Sequence, residues 1–381
     1  MSAKTPFTFG KIAINPEFTN RTEEIERLKN NISAGINTII ISPRRWGKSS
    51  LVKQVREATK DQNLSFCYID LFNCRTEREF VNQFSNAVID STSGKWEEKA
   101  AQAKKFLGRL LPTINFSPDP HSDFKMALNY EEQSESLSDI LQLPESIQSK
   151  KKGTLVVCID EFQNIAQLGD SVSLQKKMRS VWQQHENVIY ILCGSKRHIM
   201  IELFTTTSHP FYKFGDILFL QKISSKHWIS FITQRFNDAG KTIAPDLARL
   251  IAELVENHPY YVQQLAQISW LRTRENCSES IIHESHNSLI DQLSFLFEHQ
   301  FEQLSGIQTK LLEAIINQEK SLSSQQSLKK YDLKTAGHIS RAKDGLVKKD
   351  IIDETGGDIQ FIDPVFKVWL KRLFLVNQKN M

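Results

Sequence analysis

The apolar run at 37–42, Asn-Thr-Ile-Ile-Ile-Ser, stops at Pro43, passes through Gly47-Lys48-Ser49-Ser50 and becomes a helical pattern over 51–60. An unbroken apolar run ended by a turn reads as a strand buried on both faces, the kind found in parallel sheets. A strand entering a helix through a short loop of this composition constrains the chain more than any other feature. The free N–H groups of the first helical turn point outward, and the helix dipole adds positive charge there, so the junction is a ready site for a polyphosphate.

The phosphate-loop pattern is G-x-x-x-x-G-K-[ST] between a strand and a helix. Ser42-Pro43-Arg44-Arg45-Trp46-Gly47-Lys48-Ser49 fits it, with Ser42 at the first glycine. These residues and Ser50 are the candidate phosphate contacts. Gly47 leaves no Cβ between backbone and ligand. Lys48 is expected to neutralise β- and γ-phosphate oxygens, and the Ser49 hydroxyl to take one magnesium position. The plainer reading is a helix N-terminus that carries G-K-S-S by chance, and the preceding strand argues against it.

A second strand, Val156-Val157-Cys158-Ile159, ends in Asp160-Glu161. Ligands of open α/β sheets sit at the carboxyl ends of the strands. Taking this strand as a neighbour of the loop strand, Asp160 is expected to hold magnesium, directly or through water. Glu161 is expected to orient and deprotonate the attacking water. The alternative is a strand end with capping acids. A fourth apolar run at 188–193 leads into Gly194-Ser195-Lys196-Arg197-His198. If it lies beside the loop strand, Ser195 emerges near the γ-phosphate. Arg197 is then either a charge clamp for the transition state or a solvated helix residue.

Apolar runs at 65–72 and 216–220 complete five strands alternating with helical periodicity, so the expected fold is α/β, a parallel sheet covered on both faces. The stretch 91–152, with Pro112, Pro118 and Pro120, reads as a helical insertion with a loop. Helices are expected at 228–237, 245–255 and 261–273, then at 308–317, 323–331 and 335–348. Short strands at 351–353 and 359–362 flank a Gly356-Gly357 turn. Three helices and a hairpin describe a winged helix-turn-helix. The expected division is a nucleotide-binding core at 1–223, a helical lid at 224–300 and a winged helix at 301–381. Around the recognition helix stand Lys334, His338, Arg341, Lys343, Lys348 and Lys349. They are candidate contacts to double-stranded DNA phosphates, or a solvated face interleaved with Asp332, Asp344 and Asp350, and winged helices also bind proteins.

The balance of 48 Lys and Arg against 44 Asp and Glu, net +4, is too even to mark a nucleic-acid protein by itself. The five cysteines include no C-x-x-C pair, and buried free thiols are expected. No signal-peptide core and no membrane-length apolar run is visible, so a cytoplasmic protein without a membrane partner is expected. His283-Glu284-Ser285-His286 lacks the H-e-x-x-h spacing of a zinc site and reads as surface.

Taken together, F-T-N-R-T-E-E-I-E-R-L, S-P-R-R-W-G-K-S-S-L, V-V-C-I-D-E-F-Q, C-G-S-K-R-H and H-P-Y-Y-V-Q-Q-L resemble the archaeal-type ATPases. These are P-loop NTPases of the AAA+-related STAND group, similar also to origin-recognition initiator ATPases. The resemblance runs from Phe18 to about Phe374 and implies an ATPase core, a helical lid and a winged helix. It places Phe18, Asn20 and Arg21 near the adenine and makes His258, Pro259 and Tyr260 a nucleotide-sensing lid element. Asp363 to Trp369 looks like the family's closing D-P-x-F-x-x-W segment. Where many relatives carry an arginine after the fourth strand's helix, this chain has Lys213, a point charge without the guanidinium fork. The function read from all this is Mg2+-dependent ATP hydrolysis, regulatory or coupled to DNA or a protein partner, in a monomer or a homo-oligomer. The alternative is a nucleotide-gated module with little hydrolysis.

Overall fold

Strand β1, Thr38–Ile41, is buried at every residue. In the computed structural model it lies inside a five-stranded sheet with β2 (Leu64–Asp70), β5 (Thr154–Asp160), β6 (Val188–Gly194) and β7 (Asp216–Phe219), in the order β2-β5-β6-β1-β7. Every pairing in it is parallel. The structure describes residues 5–15, 17–60, 63–92, 98, 101, 114–116, 126–128, 134–355 and 358–379. Two compact units divide the chain: Ile12–Gln221, and residues up to 11 together with those from 222 on.

Successive strand side chains point to opposite faces, and both faces of this sheet are covered. Ile39, Ile41, Val157, Ile159 and Leu192 join one core with α3 (Glu77–Thr92), α4 (Ser134–Gln148), α5 (Ser171–Trp182) and α6 (Arg197–Thr205). Ile40, Val156, Cys158 and Ile191 join the other with α1 (Thr22–Ser33) and α2 (Lys48–Ala58). Two-sided burial explains why these strands are continuous apolar runs in the sequence.

Register sets the working edge. Asp70 lies opposite Asp160 and Ile41 opposite Gly194, so β2, β5, β6 and β1 end at the same level. Ser42 extends the ladder by donating its N–H to the Gly194 carbonyl at 3.3 Å.

The stretch expected as a helical insertion holds α4 and a short antiparallel pair, β3 (Ile114–Phe116) with β4 (Met126–Leu128). Pro112, Pro118 and Pro120 lie outside the described residues. Helix α4 belongs to the main core, burying Leu137, Ile140, Leu141, Leu143 and Ile147.

In the other unit, α7 (Ser225–Asp238), α8 (Pro245–Leu254), α9 (Pro259–Arg272) and α10 (Glu279–Glu302) precede α11 (Gly306–Ile316), α12 (Gln325–Lys330), α13 (Ala336–Lys348), the hairpin β8 (Ile352–Thr355) and β9 (Asp358–Phe361), and α14 (Pro364–Lys379). The Gly356-Gly357 turn lies outside the described residues. The helical part and the winged helix share one core, in which Phe297 of α10 packs 5.3 Å from Phe366 of α14. His286 of α10, read from sequence as surface, is buried. Burial, aided by Arg372 and His283, pulls its pKa down to about 4.

The first described residues pack here and not in the 1–223 core given by the sequence reading. Phe7 is 2% exposed against Phe231 and Phe236. Its N–H and that of Thr8 donate to Gln267 Oε1 at 3.3 Å and Gln263 Oε1 at 3.0 Å, and Arg235 Nε donates to the Pro6 carbonyl at 2.5 Å.

Candidate functional site

The loop between β1 and α2 turns through two left-handed residues, Arg45 at φ 64° and Gly47 at φ 95°. An L side chain is strained at the second of these, which accounts for a glycine there. Lys48 opens α2 and is buried, and its Nζ donates to the carbonyls of Ser42 at 3.1 Å and Pro43 at 3.2 Å. An ammonium has three protons, so one remains for a phosphate oxygen. Burial lowers the Lys48 pKa, and Glu161 and Asp160 oppose that shift.

Three donors hold the Asp160 carboxylate. Ser49 Oγ and Tyr68 Oη donate to Oδ2 at 2.7 and 2.6 Å, and the Glu161 N–H donates to Oδ1 at 3.0 Å. The predicted pair Ser49 and Asp160 is thus in direct contact, although β5 is not the neighbour of β1 that the sequence reading took it for. Strand β6 lies between them. Magnesium wants oxygen ligands and keeps several waters, so a hydroxyl and one carboxylate suit it. Among the described residues no cluster of three or more His, Cys, Asp or Glu could form an all-protein metal cage.

Strand β6 neighbours β1, and Ser195 follows Gly194 at its end. Glu161, at φ 52°, accepts the Ser195 hydroxyl at 2.6 Å on Oε2. Gln163 donates to the same oxygen through Nε2 and accepts the Ser195 N–H through Oε1 at 3.2 Å. Asp70, at the end of β2, has its pKa raised chiefly by burial, with Asp160 and Glu161 adding to it.

Other predicted residues take supporting places. Arg21, at φ 72° and buried, donates to Glu24 at 2.8 Å and to the Trp46 carbonyl of the loop at 3.3 Å. Asn20 precedes it at φ 57°, and Phe18 packs on the core beneath α1 and α2. Ser50 Oγ accepts the Ala13 N–H at 3.1 Å. Arg44 lies 5.8 Å over the Phe72 ring, and Arg197 5.3 Å over that of Phe219. Lys213 stands 5.3 Å from the Tyr212 ring centre.

Sequence reasoning missed Tyr68 and Gln163. Tyr68 carried a faint signal, a polar-tipped aromatic in an apolar run. Gln163 carried none, because its role depends on the 3-10 turn Phe162–Gln167 after the acid pair.

His258, Pro259 and Tyr260 belong to the other unit. His258 is buried at the start of α9, and Tyr260 packs edge-on against Phe9 at 5.9 Å. On the winged helix, Lys343 pairs with Glu354 at 2.9 Å, and Lys349 donates to the Gln303 carbonyl. Lys334, Arg341 and Lys348 are exposed, and half-buried His338 contacts the Thr335 hydroxyl at 2.8 Å.

Residues 18–265 match the model of an ATPase domain found predominantly in Archaea. The chain belongs to that ATPase family. Residues 295–372 of this archaeal-type ATPase match a probable winged helix domain. Its fold is that of a Walker-type ATPase of Pyrococcus abyssi, at TM-score 0.65 and 15% identity over 94% of this chain and 97% of that one. The Aeropyrum pernix ORC2 protein, solved as ADPNP–ADP complexes, gives TM-score 0.58 at 16% identity over 97% and 98%. No curated protein matches the ATPase in sequence. No helix among its described residues is long and apolar enough to cross a membrane.

Proposed function

We propose that this ATPase binds ATP with Mg2+ and hydrolyses it slowly, coupling the cycle to duplex DNA through its winged helix. The observation that carries the reading is the Ser49–Asp160 hydrogen bond of 2.7 Å, which ties the start of the phosphate helix to the acidic strand end. Ser49 and Asp160 would hold the metal. When bound, magnesium neutralises charge on the β- and γ-phosphates.

The chain's own groups supply the rest. Lys48 offers its third proton to a phosphate oxygen, while the loop amides at the start of α2 carry the other oxygens. Glu161 is the base for the attacking water, and Ser195 orients it through their shared hydrogen bond. Arg21 braces the loop by gripping the Trp46 carbonyl. His258, Pro259 and Tyr260 form the element that responds to nucleotide, and Arg197 answers charge in the transition state.

One observation favours the second reading, a nucleotide-gated module with little turnover. Glu161 Oε2 already accepts from both Ser195 and Gln163, so those hydrogen bonds occupy the oxygen that would meet the attacking water. Exposed Lys334, Arg341 and Lys348 favour DNA as the partner that relieves the restraint.

Calorimetry with Mg·ATP and a phosphate-release assay, each with and without duplex DNA, test the proposal. Binding heat is expected for the native protein and none for Lys48→Ala. Turnover is expected to rise with DNA and to vanish in Glu161→Gln. Binding without turnover under both conditions supports the gated module, and absence of binding heat defeats both readings.

A further inference from the structure

We propose that Tyr68 is a positioning residue for magnesium, fixing the Asp160 carboxylate in the orientation the metal needs. The inference rests on the reading that Ser49 and Asp160 hold Mg2+. Tyr68 comes from β2, at the edge of the sheet, and its register partner on β5 is Cys158, two residues before Asp160. Its hydroxyl donates to Asp160 Oδ2 at 2.6 Å, the same oxygen that Ser49 reaches at 2.7 Å.

A carboxylate on a single Cβ–Cγ bond rotates easily, and one hydroxyl on one oxygen does not stop it. Here Oδ1 is held by the Glu161 N–H at 3.0 Å, and Oδ2 by two hydroxyls from different elements, β2 and α2. The three donors fix both the plane of the group and which oxygen faces which neighbour. A metal that arrives at a carboxylate already in place need not reorganise it.

A structural role would look different. Tyr68 is 39% exposed as a residue and lines an open cleft of about 630 Å³ together with Arg56, Lys60 and Asp90. The ring therefore adds little to the core, and removing only its oxygen takes away the hydrogen bond while leaving the packing.

The test is a magnesium titration of ATP affinity by calorimetry, run beside ATP binding in EDTA and thermal unfolding. In Tyr68→Phe the Mg2+ concentration for half-maximal tightening is expected to rise about tenfold. Metal-free ATP affinity and the unfolding midpoint should match the native protein. The proposal is overturned if Tyr68→Phe titrates as the native protein does, or if it weakens ATP equally with and without magnesium. A native protein whose ATP affinity ignores magnesium would instead defeat the underlying metal site.

Discussion

Ser195 Oγ donates to Glu161 Oε2 at 2.6 Å, joining the ends of β6 and β5 through one hydrogen bond. If Ser195 orients the base, Ser195→Ala lowers kcat about tenfold and leaves ATP affinity unchanged, because the hydroxyl acts on the chemical step. Single-turnover phosphate release beside calorimetry reads the two effects separately. Equal losses in both would place Ser195 in nucleotide binding.

Gly194 sits where no side chain fits. A Cβ there would meet Met200 Sδ at 2.3 Å and Gln163 Oε1 at 2.7 Å. Gly194→Ala is expected to cost about 1–3 kcal/mol by overpacking and to push Gln163 off Ser195 and Glu161. Denaturant unfolding measures the first effect and the turnover assay the second. Wild-type stability would mean that Met200 yields without strain.

His185 is half-buried, with Nδ1 2.9 Å from the Tyr190 hydroxyl and Nε2 3.3 Å from Gln142 Oε1, partners that suit a neutral ring protonated on Nε2. Burial lowers its pKa to about 4, against a small opposing effect of Glu145. A folded pKa below the unfolded one means the unfolded chain takes the proton first. This contribution is therefore full above about pH 6.5 and lost as pH falls toward 4, on the order of 2–3 kcal/mol. Thermal unfolding of His185→Gln should show a shallower fall between pH 6.5 and 4.5 than the native protein, and parallel curves would refute the assignment.

Phe7 is buried against Phe231 and Phe236. Phe7→Ala should destabilise the unit that contains α7 and α9 by about 3 kcal/mol, while the unit Ile12–Gln221 keeps its hydrogen-exchange protection. Uniform loss of protection across both units would contradict this.

On the winged helix, Arg341 is exposed and Lys343 is engaged by Glu354 at 2.9 Å. If the recognition helix meets DNA, Arg341→Ala should reduce the slope of log affinity against log salt by about one. Lys343→Ala should change it less. A native slope in both variants would remove α13 from the DNA interface.

The parts of the site nearest the chain's local patterns were legible in the sequence. β1, β5 and β6 are buried on both faces, so their apolar runs stood out, and Lys48, Ser49, Asp160 and Glu161 follow from where those runs end. The lateral order of the strands was not legible, because chain order does not say that β6 separates β1 from β5. Helix α10 was missed for a physical reason: its buried side includes Ser285 and His286 between Ile282 and Leu289, which breaks the apolar stripe. The destination of Phe7 is a long-range fact that no local pattern encodes.

That destination has a bearing on the order of synthesis. Phe7 leaves the ribosome 260 residues ahead of the glutamine that receives its N–H. At about 5–20 residues per second the wait is on the order of 10–50 s. During it an apolar side chain must stay out of the nucleotide-binding half, whose segments are all translated first.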